Sequence, residues 1–163
     1  MDNTDFFERR RLLAEKVRTA WKNVPKPEGE VADSGCPEDV DVTKLFKNKT
    51  ADEIDLDSDE YQETYPMIYM SVDAKKYFIQ TYFYYCLDVK TDHEDRRCTP
   101  CGHIISELTG KSEIKHNPNY TADQIDCIIE FLELVGDNLE FFGEENYIEC
   151  HRKAIRKWQR LRK

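Results

Sequence analysis

Residues 96–103, RRCTPCGH, bring together two cysteines three positions apart and a histidine two positions further on. Cys98, Cys101 and His103 are ligand types of a tetrahedral zinc site, and C-x2-C is the spacing of a zinc knuckle. The candidates for a fourth ligand are His93, Cys150 and His151. None of these forms a second ligand pair of recognisable spacing, so the motif alone does not complete a zinc site.

The same motif has two other interpretations. A C-x-P-C pair at a helix N-terminus can be redox active, with Cys98 and Cys101 forming a reversible disulfide, but thioredoxin-like chemistry needs a preceding strand that is not predicted here. The interpretation that we favour is a polar loop between helices that only caps the next helix. The sequence therefore predicts no cofactor, with zinc at Cys98, Cys101 and His103 as the alternative.

An acidic run without a single Lys or Arg lies between residues 50 and 63. Its acidic members are Asp52, Glu53, Asp55, Asp57, Asp59, Glu60 and Glu63. Residues 55–59 have the D-x-D-x-D start of a calcium-binding EF loop, but the required glycine and glutamate are replaced by Glu60 and Pro66. We expect an acidic face that draws a basic surface of a partner protein towards it.

Catalytic sequence templates are missing from the chain. It has no G-x-x-x-x-G-K-[ST], G-x-G-x-x-G, G-x-S-x-G or H-E-x-x-H, and its six glycines are scattered. The sequence therefore favours a protein that is not an enzyme. The alternative is an enzyme or small-ligand binder with a pocket between helices, using aromatic side chains and a thiol such as Cys86.

Charge is distributed unevenly along the 163 residues, whose net charge is -9. Residues 151–163 hold seven Arg and Lys and no acid, so residues 1–150 sum to -9 minus 7, or -16. Such an acidic body does not attract nucleic acid. No apolar run is long enough to span a membrane and no signal peptide opens the chain, so we expect a cytoplasmic protein with reduced cysteines.

Hydrophobic periodicity and caps predict the elements. An amphipathic helix should run from Thr4 to Asn23, before a proline-rich, acidic and exposed loop over residues 25–39. Capping boxes at Thr50–Glu53 and Thr121–Gln124 and a cap at Ser71 predict three helix starts. The helix after Ser71, VDAKKYFIQTYFYYCL, has almost no polar face and should be central.

The last predicted helix, residues 144–162, carries an apolar stripe opposite a basic face. We expect this face to pair with acids of the same chain, in preference to a membrane surface or a partner's groove. A short helix near residues 104–108 completes the set. Together the patterns predict one all-α domain over residues 1–163, with about five to seven helices around the aromatic helix. They indicate no oligomeric state.

Two segments, LFKNKTADEIDL and YMSVDAKKYFIQTYFYYCL, resemble a family of small bacterial proteins of unknown function. In that family an F-x-G/N-K-T/S-W-x-x-I segment precedes an F-L-T-P-E-A-x-x-Y-Y-L-P-A-Y-L helix. The matching residues are Phe46, Lys49, Thr50, Ile54, Met70, Ser71, Ala74, Tyr77 and Phe78, within a likeness over about residues 40–135. This chain has Gln80-Thr81 where such members often carry a proline. The resemblance implies a helical fold and a bacterial origin, and no activity.

These observations lead to one functional hypothesis. We expect a cytoplasmic protein that binds another protein through its acidic face. One concrete form of this hypothesis is a bacterial immunity-type protein that covers a basic toxin's active site.

Overall fold

The structure is a computed structural model that describes residues 3–62, 65–88, 100–110, 118–142 and 148–162. Its α-helices are α1 (Asn3–Trp21), α2 (Asp39–Phe46), α3 (Asp59–Gln62), α4 (Val72–Leu87), α5 (Pro100–Thr109), α6 (Ala122–Asp137), α7 (Leu139–Phe142) and α8 (Ile148–Leu161). Two 3-10 turns, η1 (Ala51–Glu53) and η2 (Pro66–Ile68), lie between α2 and α4. In the described residues the only β pairing is a single bridge between Ala32 and Met70. The predicted all-α class is confirmed, with six described helices of eight or more residues.

The five longest helices pack in a closed order. α1 packs on α4, α4 on α5, α5 on α8, α8 on α6, and α6 again on α1. Aromatic rings link them inside: the Phe83 centroid lies 5.5 Å from that of Trp21 and 5.1 Å from that of Phe131. Because α4 carries Phe78 and Phe83, which are both fully buried, the prediction of an aromatic helix at the core is confirmed.

Helix α1 follows from the spacing of its apolar residues. Phe6, Leu13, Val17 and Trp21 recur at steps of four or seven and are all buried. The helix ends two residues earlier than expected, and the Val24 N–H then donates to the Trp21 carbonyl over 3.0 Å. The Trp21 indole N–H donates to the Lys76 carbonyl over 2.8 Å, which fixes α1 against α4.

Helices α4 and α6 begin where their caps predict. The Ser71 hydroxyl accepts a hydrogen bond from the Ala74 N–H, and the Thr121 hydroxyl accepts one from the Gln124 N–H. The Thr121 N–H donates in turn to the Gln124 side-chain oxygen, which completes the capping box. Helix α6 continues through Gly136 and ends at Asp137.

Part of the proline-rich segment over residues 25–39 is tied to the core. Val31 and Ala32 are buried among mostly exposed neighbours. The Ser71 N–H donates to the Val31 carbonyl over 2.8 Å, and the Asp33 N–H donates to the Tyr69 carbonyl over 3.1 Å. These bonds hold the segment beside the start of α4.

Helix α8 buries His151, Ala154 and Trp158 and directs its basic residues outward. Among the described residues, α8 and the residue after it form two ion pairs. Arg162 pairs with Asp126 of α6, and Arg152 pairs with Glu149 of α8 itself. In the described part of the chain Lys153, Arg156, Lys157 and Arg160 form no ion pair. Among the described residues, therefore, only Arg162 follows the expected pairing between the basic face and the acidic body.

No helix in the described ranges is both long enough and apolar enough to cross a membrane.

Candidate functional site

A groove lies where α1, the η1 region and α4 meet, and its volume is about 410 Å³. We call it the carboxylate groove, because acidic side chains from two of its walls face it. Its lining residues are Ala14 and Arg18 from α1; Ala51, Asp52, Ile54, Asp55 and Leu56 from the η1 region; and Thr81, Tyr84, Tyr85 and Asp88 from the end of α4.

The η1 wall is shaped by a capping box and by alternating burial. The Thr50 N–H donates to a Glu53 carboxylate oxygen over 2.6 Å, and this bond is the main reason that the pKa of Glu53 lies below its usual value. Ile54 is extended and a turn follows at residues 56–57, with Ile54 and Leu56 buried and Asp55 exposed between them. The predicted helix start at Thr50 is confirmed, but it opens only a three-residue 3-10 turn.

Helix α4 holds this wall through hydroxyl groups. The Thr81 hydroxyl donates to the Ala51 carbonyl over 3.0 Å, and the Tyr85 hydroxyl donates to an Asp57 carboxylate oxygen over 3.0 Å. The Asp57 N–H in turn donates to the Asp55 side chain over 3.1 Å. These hydrogen bonds therefore hold the η1 wall, with Asp55, in place against α4.

The charges lining the groove are three carboxylates, Asp52, Asp55 and Asp88, and one guanidinium, that of Arg18. Arg18 lies 5.4 Å from the centre of the Tyr84 ring, at cation-π distance. Burial raises the pKa of Tyr84 to about 12, an effect that Arg18 opposes and Asp52 adds to. The Tyr84 hydroxyl therefore stays neutral at physiological pH, and the groove has an excess of negative charge.

This arrangement suits recognition of a cation better than covalent chemistry. The lining residues include no Cys, His, Ser or Lys, and the hydroxyl of Thr81 already donates to Ala51. An incoming ammonium or guanidinium group can meet carboxylate oxygens and the Tyr85 ring together.

The predicted acidic face only partly coincides with this groove. Asp52 and Asp55 line it, while Glu53 bonds to Thr50 and Asp57 bonds to Tyr85. Glu60 is exposed on α3, the helix that Asp59 opens. Glu63 lies outside the described residues.

Sequence reasoning missed Arg18 and Asp88 as neighbours of the acidic residues. Both come from other helices, and no local pattern marks them. Tyr84 and Tyr85 carried a weak signal, because they belong to the tyrosine-rich helix whose aromatic side chains can line a pocket or pack in the core. The structure buries Tyr82 in the core and leaves Tyr84 and Tyr85 half-buried at the groove.

The structure describes residues 100–103 of the CTPCGH motif and not residues 98 and 99. Cys98 lies outside the described residues, so the predicted Cys98–Cys101 pair and the zinc site that includes Cys98 lie partly outside them too. Pro100 and Cys101 form the buried first turn of α5, so the expected polar loop is wrong from Pro100 onward. A proline fits this first turn because its missing N–H would have no helical partner there.

Cys101 and His103 contact different neighbours. Burial raises the pKa of Cys86 in α4, and the neighbouring Cys101 adds to this effect. The His103 ring is half-buried with its centroid 4.2 Å from that of Tyr65, and burial lowers its pKa to about 4. Across the described ranges, no three His, Cys, Asp or Glu side chains converge to hold a metal ion. Cys86 is fully buried and is not part of the carboxylate groove.

Comparisons of the chain with models of protein families, with curated proteins and with solved structures find no match. The resemblance to small bacterial proteins therefore stays a prediction, and the function has to be argued from the site.

Proposed function

We propose that this chain is a non-enzymatic protein that binds a basic surface of another protein, with the carboxylate groove taking a Lys or Arg side chain of the partner. The observation that carries the proposal is that Asp52, Asp55 and Asp88 line one groove together with Tyr85. A guanidinium or ammonium group is complementary to both features, since it pairs with carboxylates and stacks on aromatic rings.

Among the described residues, the basic end of the chain does not neutralise Asp52 or Asp55 of this groove. Asp52 and Asp55 form no ion pair within the described residues, and Arg162 of the basic segment pairs with Asp126 of α6. Single exposed ion pairs contribute little, about 0.2 to 1 kcal/mol each. The acidic excess therefore acts mainly by accelerating and orienting encounter with a basic partner.

The charge balance also supports a more specific form of the proposal. A chain of 163 residues whose first 150 sum to -16 is of the size and charge to cover a basic, nucleic-acid-binding surface of a toxin. In this form the protein is a cytoplasmic, bacterial immunity-type protein, and the groove is one contact of a larger interface. Its partner would lose activity when it binds one equivalent of this chain.

The test compares two variants that have the same net charge. Asp52→Asn with Asp55→Asn removes two carboxylates from the groove, and Glu133→Gln with Glu140→Gln removes two exposed carboxylates from α6 and α7. Each protein is immobilised and used to capture partners from a lysate of its source organism at low salt. We expect the wild type and the α6–α7 variant to retain the same basic protein, and the groove variant to lose it.

A defined probe tests the groove directly. A short arginine-containing peptide should shift the amide signals of residues 51–56 and 81–88 in a 1H–15N NMR titration, and 0.5 M salt should reverse the shifts. Equal loss of capture by both variants would show that only net charge matters. Peptide-induced shifts away from the groove would overturn the assignment of the site.

A further inference from the structure

Arg18 is a cation that belongs to the wall of the carboxylate groove itself. It lies four residues after Ala14, and both residues line the groove from the same face of α1. Its guanidinium carbon lies 5.4 Å from the centre of the Tyr84 ring, which is cation-π distance. Val17 and Trp21 on the same helix are buried, so the packing of α1 on α4 fixes the position from which Arg18 reaches this ring.

The ring of Tyr84 is positioned by α4. Its hydroxyl donates to the Gln80 side-chain oxygen over 3.3 Å, and the residue is half-buried. Arg18 and Asp52 line the groove together with this ring and act on it in opposite senses: burial raises the pKa of Tyr84 to about 12, Arg18 opposes that shift, and Asp52 adds to it. Among the described residues Arg18 forms no ion pair, so the Tyr84 ring is its specific contact.

Two carboxylates of the groove face solvent. Asp52 and Asp55 are exposed and form no ion pair within the described residues. The Asp57 N–H donates to the Asp55 side chain, which fixes the position of that carboxylate. The face of the Tyr84 ring that Arg18 covers is closed to an incoming cation, and a second guanidinium beside Arg18 would be repelled by it.

We infer that Arg18 is an internal occupant of the carboxylate groove, which limits the groove to one cationic side chain of a partner and so selects single basic residues over closely spaced pairs. The inference rests on the proposed function, because it concerns what the same groove admits. Arg18 is in this sense a specificity-determining residue. Without it, the ring of Tyr84 and the carboxylate of Asp52 would offer a second place for a guanidinium group.

The experiment compares two peptides by 1H–15N NMR titration of the full chain at about 0.15 M salt. One peptide has a single arginine, and the other has two arginines separated by one glycine, whose side chains lie on the same side of an extended peptide. The measured quantity is the ratio of the two dissociation constants, because any acidic protein attracts the second charge. In Arg18→Gln we expect the preference for the two-arginine peptide to rise about 5-fold above that of the wild type. This rise corresponds to about 1 kcal/mol, the scale of one exposed cation-π contact or ion pair.

Lys22→Gln is the matched control. It removes the same charge from the exposed residue that follows α1, and Lys22 does not line the groove. We expect it to keep the preference of the wild type. An equal rise in both variants would overturn the inference, since net charge would then be the cause. An unchanged preference in Arg18→Gln would overturn it too, while cation binding by the groove would stand. If neither peptide bound any of the three proteins at the groove, the proposed function itself would fail, and the inference with it.

The position of Arg18 is tested without a peptide. The ring current of Tyr84 should shift the side-chain proton signals of Arg18 upfield in the wild type, and Tyr84→Leu should remove this shift while keeping an apolar side chain at a half-buried position. Wild-type Arg18 signals at the positions of an unstructured arginine would show that the ring is not covered. That result would overturn the inference whatever the peptides do, and it would leave the proposed function untouched.

Discussion

The ion pair between Lys75 of α4 and Glu107 of α5 gives a sharp test of how the two helices are held together. The Lys75 Nζ lies 2.7 Å from a Glu107 carboxylate oxygen, and each side chain is only 10% exposed. Replacing Glu107 by Gln keeps the shape and leaves a buried ammonium without its counter-charge. Because breaking a buried pair typically costs 3–5 kcal/mol, and the amide oxygen of Gln still accepts a hydrogen bond, we expect a loss of about 3 kcal/mol.

Two further variants separate the effect of an unpaired buried charge from the effect of losing an ion pair as such. In Lys75→Met with Glu107→Leu both charges are gone, so we expect a stability within about 1–2 kcal/mol of the wild type. The control is Lys16–Glu130, a pair of equal length whose side chains are 56% and 39% exposed, where Glu130→Gln should cost less than about 1 kcal/mol.

Urea unfolding monitored by tryptophan fluorescence measures all four proteins, since Trp21 and Trp158 are both buried. If Glu107→Gln cost no more than Glu130→Gln, the reasoning from burial would be refuted. The same would follow if the charge-free double variant were less stable than the single variant.

The remaining predictions concern a buried ring and a helix cap. Burial lowers the pKa of His103 to about 4, whereas unfolded histidine titrates near 6.5, so the unfolded state binds the extra proton between these values. Stability should fall as pH drops from about 6.5 to 4, by at most about 2 kcal/mol after discounting for partial exposure, and His103→Gln should remove that component of the urea-unfolding pH profile. Thr121→Ala should cost about 1 kcal/mol in the same assay, because it removes the hydroxyl that accepts the Gln124 N–H, and Thr121→Ser should retain most of the stability. A flat difference between wild type and His103→Gln across pH, or equal losses in both Thr121 variants, would contradict these expectations.

The sequence predicts the position of a helix correctly where its N-terminal cap and its apolar spacing indicate the same helix. Ser71 and Thr121 marked the first residues of α4 and α6, and the apolar spacing from Phe6 to Trp21 marked α1. At Thr50 the same type of cap opened only η1. The reason is tertiary: Ile54 and Leu56 are both buried, and the chain makes a new turn at residues 56–57, where the Ser58 N–H donates to the Asp55 carbonyl over 3.2 Å.

The candidate site was harder to predict, because it is formed by contacts between residues that are far apart in the sequence. Asp52 and Asp55 could be singled out because charge is visible in the sequence. Their proximity to Arg18 and Asp88 follows from the packing of α1 against α4, which brings together residues more than 30 positions apart. Contacts between distant parts of the chain also explain why the neighbours of Cys101 were not predicted. Cys101 was grouped with its sequence neighbour Cys98, while helix packing placed it against Cys86.

The acidic carboxylate groove and the basic face of α8 have different surroundings, and this difference bears on the proposed function. A basic tail that folded onto the carboxylate groove would neutralise it and remove the reason for a basic partner. In the described residues the C-terminal helix instead packs on α5 and α6, and its one long-range ion pair is to Asp126. The acidic groove and the basic face of α8 therefore remain separate surfaces, so a partner attracted to one need not displace the other. Charge reversal on α8, such as Arg156→Glu, should leave groove binding intact beyond a general electrostatic change in on-rate, whereas Asp52→Asn with Asp55→Asn should slow association and speed dissociation.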